Sequence, residues 1–209
     1  MYEREPGAPS PEHFWQTEQT IGQLAVDGAL TDLHLRTRSI SEPYRPSRRR
    51  EIVPITNSGI RTYTLGQAYI LTPELTQLEH WRRLTGQPLP ERQRPLEDVR
   101  VGDVQSFFYA QDHTLVIWNV LMLPDHRGAD PVTDPNLDTL WRGAEAFLLG
   151  RFAGVERIVT PSWEPAYERA AYHAFLRSLG YRRISTLAFE KYTAAALDRP
   201  TAEHGISAA

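Results

Sequence analysis

The chain has 209 residues, 41% of them hydrophobic and 23% charged, and a formal net charge of −3. This is the profile of one globular domain with a sizeable core, not of a disordered or fibrous chain. The absence of cysteine excludes disulfides, thiolate metal sites and a cysteine nucleophile, and the acidic balance argues against a nucleic-acid or anionic-membrane partner.

The start, MYEREPGAPSPEHFW, lacks the basic and apolar regions of a secretory signal. No apolar run approaches the roughly 18 residues of a membrane span. A cytoplasmic protein without a membrane partner is the expectation. Residues 1–12, rich in Gly, Pro, Ser and Glu, read as disordered. From His13 to about Leu30 the spacing of Phe14, Ile21, Leu24, Ala25 and Val26 predicts an amphipathic helix. LHLRTRSI then alternates loosely and reads as an exposed strand. Arg48, Arg49 and Arg50 follow in a Pro-containing loop, where a solvated turn outweighs phosphate or nucleic-acid binding.

Residues 52–71, with Gly59, Gly66 and alternating Ile60, Thr62 and Thr64, predict one or two strands around a turn. Thr72, Pro73 and Glu74 are helix-start residues, and Leu75, Leu78, Trp81 and Leu84 carry the helix to Gly86. Residues 87–100 hold three prolines and form a long connection. VQSFFYAQDHTLVIWNVLML predicts a hairpin turning at Gln111, Asp112 and His113. Its second strand is apolar apart from Asn119, as befits a strand covered on both faces. Asp134 and Pro135 mark the next helix start, with Leu137, Leu140, Trp141, Ala144, Phe147, Leu148 and Phe152 as its apolar stripe. RIVTP is a strand. The last helix is expected from about Pro165 to Gly180, followed by the strand ISTLAFEKY and a loose tail.

The strand ending LMLPDHRG, the helix WRGAEAFLLGRF, the strand RIVTP and the closing AFLRSLGY resemble, in that order, the cofactor half of the GCN5-related N-acetyltransferases (GNAT). The resemblance covers about 80 residues and implies an α/β fold, a mixed and mostly antiparallel central sheet flanked by helices. The expected organisation is an N-terminal extension over 1–60, the acyltransferase domain over 61–197 and a tail over 198–209. The implied reaction is acetyl transfer from acetyl-CoA, as co-substrate, to a primary amine by direct attack on the thioester. The acceptor would be a small molecule or a protein amine. A member that kept the fold as a binding or interaction module and lost turnover stays open, and so does a homodimer.

Carried over by position, Val120, Leu121 and Met122 would pair their backbone with the pantetheine arm. Arg127, Gly128 and Ala129 would begin the pyrophosphate loop. Two positions depart from the family. Asp130 and Val132 stand where its loop has glycines, with Pro131 and Pro135 inserted, and Asp134 as a helix cap would compete for the same amides. Leu176 stands where many members carry the tyrosine acid, leaving Tyr172, one turn earlier, as its substitute. Glu164, just past RIVTPSW, is the first choice of base, and Glu168 the second. No histidine pair, His126 and His173 included, has metal-ligand spacing, and no Gly-x-Ser-x-Gly elbow is present.

Overall fold

A computed structural model describes residues 15–26, 28–46, 55–71 and 98–197. The start expected to be disordered, Arg48–Arg50, the helix expected from Pro73, residues 87–97 of the long connection and the tail after Leu197 lie outside them.

Among the described residues eight strands build one sheet: β1 (Thr17–Val26), β2 (Ala29–Tyr44), β3 (Gly59–Ile70), β4 (Val99–Tyr109), β5 (Thr114–Met122), β6 (Arg157–Pro161), β7 (Arg182–Arg183) and β8 (Ala188–Tyr192). Their order is β1-β2-β3-β4-β5-β6-β8-β7. Every junction is antiparallel except β5–β6. Helix α1 (Pro135–Arg151) makes the crossover between those two strands, and α2 (Arg169–Ser178) follows β6. The chain is thus mixed α/β with a mostly antiparallel sheet, and β1 and β2 belong to the same sheet as the rest. Among the described residues no helix is long and apolar enough to cross a membrane.

The helix expected between His13 and Leu30 is strand β1, and the reason is a bulge. Pairing with β2 slips between Thr20 and Gly22, so Ile21 is an extra residue and the inward alternation resumes at Leu24. Spacings of three and four are what a bulged strand leaves in its sequence. Residues 52–71 hold no turn at Gly66: β3 runs straight through it, and a Cβ there would lie 3.0 Å from Leu35 and 3.2 Å from Val104. The hairpin at Ala110–Asp112 is as the sequence predicts, and Asp112 also accepts from the hydroxyl of Thr56 at 2.8 Å.

Helix α1 starts where its signals say. Asp134 caps it and Pro135 takes the first position, where a missing N–H costs nothing. Its stripe of Leu137, Leu140, Trp141, Ala144 and Leu148 meets Leu24, Leu35, Val104, Leu115, Ile117, Val120 and Met122 in the main core. The sheet curls enough that β1 and β5, at strand positions one and five, both contact α1. At Gly143 the helix comes so close that a Cβ would lie 2.4 Å from the Ile21 carbonyl oxygen. Trp141, fully buried, meets Phe175 and Tyr181 edge-on at 5.8 and 6.2 Å. A smaller cluster of Ile55, Tyr109, Val116, Val159 and Ala188 is buried separately; Val116 there is the β5 neighbour of core-facing Leu115 and Ile117, so the cluster lies on the opposite face of the sheet.

Helix α2 begins at Arg169, four residues later than Pro165 suggests. Pro165 sits instead in a turn closed by the Tyr167 N–H on the Glu164 carbonyl at 3.1 Å, at the second position that proline favours. Glu168 caps the helix, accepting from Ala171 N–H at 3.0 Å. Gly180, at φ 88°, lets the chain leave it, the left-handed exit that glycine makes without strain.

Candidate functional site

The site arises from one topological fact. β5 and β6 pair in parallel only at Thr114–Arg157, Leu115–Ile158 and Val116–Val159. Beyond Val116 the strands separate, and among the described residues the β6-side edge of β5 from Ile117 to Met122 has no strand partner. Between them opens a cleft of ≈ 540 Å³ lined by Trp118, Asn119 and Leu121 from β5 and by Trp163, Glu164 and Pro165 beyond β6. A second cavity of ≈ 520 Å³ shares Trp163, Glu164 and Pro165 and adds Tyr167 and Leu187. A third, of ≈ 460 Å³, follows the loop from Asp125 to Asn136.

Glu164 faces both of the first two cavities. Burial raises its carboxyl above the usual range, while a 3.3 Å hydrogen bond from Ala166 N–H and the charge of Arg127 pull it part of the way back. A carboxylate so placed is better suited to accept a proton than one in water. Glu168 is fully engaged as a cap, with its carboxyl lowered by the backbone amides of the first turn, and lines neither cavity.

Tyr172 lies in the core, 4% exposed, and lines none of the three cavities. Its hydroxyl is hydrogen-bonded to Thr160 and burial raises its pKa. The tyrosine beside Glu164 is Tyr167, which lines the second cavity. Arg127 sits over its ring at 5.5 Å, burial pushes its phenol up, and its buried hydroxyl oxygen has no hydrogen-bond partner. A helix expected from about Pro165 takes in Tyr167; Pro165 instead makes a turn and leaves Tyr167 ahead of the helix.

Of the residues expected to hold a donor, Val120 and Met122 point into the main core at 2% and 0% exposure, and Leu121 lines the cleft. Their backbone pairs with β4 and lies on the stretch of β5 whose β6-side edge has no strand partner. The phosphate loop is different. Asp134 is 4% exposed, and one of its oxygens accepts from Gly128 N–H at 2.8 Å. The other accepts from Asn136 and Leu137 N–H at 2.9 and 3.2 Å. These are the amides a phosphate would use at this helix start, and a carboxylate of the chain already holds them. A Cβ on Gly128 would lie 3.2 Å from Asp134 Cβ, so the glycine makes room for this aspartate. Ala129 is exposed, and Asp130 closes a turn on Val132 N–H at 3.0 Å. Arg142 is bound to Asp138 at 2.8 Å on the helix surface.

His173 ties α2 to the end of β6 through the Ser162 carbonyl at 2.8 Å and packs on Phe189. His126 lies in the loop. Among the described residues no cluster of His, Asp and Glu could hold a metal ion. No family model and no curated protein matches the chain.

Proposed function

We propose that the protein is a GNAT-type N-acetyltransferase that takes its acyl group from acetyl-CoA and transfers it directly to a primary amine in the cleft between β5 and β6. The observation that carries this reading is the parting of two parallel strands after three paired residues, with Glu164 in the cleft that results. An unpaired strand edge can hydrogen-bond an extended, amide-containing ligand. A pantetheine arm, with two amides, is such a ligand, and the order strand, loop, helix, strand, helix around the cleft supports the same assignment.

The fit to the donor is uneven. The gap suits the arm; the loop does not suit the pyrophosphate while Asp134 fills it, because a second anion there would meet a buried carboxylate. A bound acyl thioester supplies a carbonyl carbon open to attack by a neutral amine. Glu164 takes a proton from the acceptor ammonium, its raised pKa narrowing the gap between the two groups. Tyr167, kept protonated by burial, stands in place of Tyr172 as the group that can give a proton to the departing sulfur. The amine nitrogen forms the new amide bond and the carbon–sulfur bond breaks; one nitrogen proton leaves to solvent through Glu164, and the second replaces the proton that Tyr167 gives to sulfur.

The occupied phosphate cradle favours a second reading, a GNAT-like binding module without turnover. Calorimetry with acetyl-CoA and with S-acetylpantetheine, followed by a thiol-release assay over a panel of amines, separates the two. The transferase reading expects both donors to bind, the truncated one within about tenfold of the other, a difference of 1.4 kcal/mol, and thiol release with some amine. Binding without thiol release from any amine favours the module, and no binding at millimolar concentration removes the donor site altogether.

A further inference from the structure

The cleft also carries information about which amine it takes. On β4 and β5, Gln105 opposes Asn119 and Ser106 opposes Ile117, so Trp118 is an extra, bulged residue. A bulge re-aims a side chain without breaking the sheet, and Trp118 is 40% exposed at the cleft. Its ring meets Phe107 edge-on at 6.3 Å, and Phe107 lies against Tyr63 at 5.1 Å. On the other wall Trp163 is 41% exposed. Among the described residues Glu164 is the one ionisable group lining the cleft, and Asn119, also in the wall, has a buried side-chain oxygen with no hydrogen-bond partner.

We propose that this cleft binds a small arylalkylamine, its ring against Trp118 and Trp163 and its ammonium between Glu164 and the Asn119 oxygen. The proposal deepens the transferase reading and rests on it for what becomes of the amine. Two tryptophans offer flat apolar faces that bind rings by stacking and cations by their negative π-clouds. A single carboxylate matches a single positive charge. A polyamine would bring further charges with no carboxylate in the cleft to meet them, and at the outer end of the aromatic row the Arg61 guanidinium already stands over Phe107 at 5.4 Å. A neutral aromatic alcohol would leave Glu164 and Asn119 without donors.

The test is equilibrium binding to the full chain without any acyl donor, by calorimetry, using 2-phenylethylamine, 2-phenylethanol and spermidine. The proposal expects saturable 2-phenylethylamine binding, at least tenfold weaker binding of the other two, and about tenfold weakening by either Trp118→Ala or Trp163→Ala. Both tryptophans are partly exposed, and unchanged melting temperatures would show that the variants fold. Equal binding of the alcohol, preference for spermidine, or indifference to both tryptophan variants overturns it. Failure of the transferase reading shows elsewhere: 2-phenylethylamine would bind as expected while acetyl-CoA and S-acetylpantetheine did not. Conversely, donor binding and thiol release with other amines, without 2-phenylethylamine binding, would remove the acceptor class and leave the transferase standing.

Discussion

Glu164 holds its proton more tightly than a carboxylate in water because burial outweighs both the Ala166 hydrogen bond and the Arg127 charge. Folding therefore works against ionising it. A carboxyl whose folded pKa is raised contributes most at low pH, and that contribution is lost as pH rises through the carboxylate range. Glu164→Gln, which keeps an oxygen for Ala166 N–H, is expected to melt higher than the wild type at pH 7–8 and equally at pH 3, by calorimetric melting. A variant less stable at neutral pH would mean that the charge of Glu164 is held favourably. If turnover exists, the same substitution lowers it by about 10²–10⁴-fold, with part of the loss recovered at high pH where more amine is neutral. Tyr167→Phe should slow thiol release without that recovery, whereas Tyr172→Phe should act on stability alone, since Tyr172 faces Thr160 in the core.

At the scale of an element, the start of α1 bears on how the proposed donor would be held. Asp134 serves the helix and occupies, with the same carboxylate, the amides that a phosphate would need. Asparagine caps about as well as aspartate, and alanine costs about 1 kcal/mol more, or roughly 2–4 °C for a chain of this size. Asp134→Asn keeps the cap on Asn136 and Leu137 N–H but leaves Gly128 N–H without its acceptor, so it should lower the melting temperature less than Asp134→Ala does, and tighten acetyl-CoA but not S-acetylpantetheine. If Asp134→Asn leaves acetyl-CoA affinity unchanged, the phosphates do not lie at this helix start. The competition was legible in the sequence, because Asp-Pro at a helix start is a local signal read within four residues. β1 was not: its bulge at Ile21 imitates helical spacing, and only pairing with β2 reveals the strand. Nor was the place of Tyr167, because a helix expected from about Pro165 holds both Tyr167 and Tyr172, and only the Pro165 turn sets Tyr167 ahead of it.

At the scale of the molecule, the sheet falls into two parts. β1 to β5 form a continuous antiparallel meander with long ladders, and β6, β8 and β7 form a small antiparallel unit. Three residue pairs of a parallel ladder join them, backed by the core that α1 and α2 share. Tyr181 and Lys191 brace the same seam by bonding Glu145 of α1 at 2.8 and 2.6 Å. A ligand lying between β5 and β6 would add hydrogen bonds where the sheet has none, and so would clamp the seam. Amide hydrogen exchange reads this directly, because local opening is slowest where backbone bonds are most buried and shared. In the free protein, β3 and β4 should exchange slowest, and those amides between Trp118 and Met122 that point away from β4 markedly faster. S-acetylpantetheine should slow exchange at 118–122 and in β6, and leave the outer strand β1 unchanged. Protection confined to the Asp125–Asn136 loop would place the donor in the third cavity instead, and protection spread evenly over the sheet would report stabilisation of the whole fold without a site at the seam.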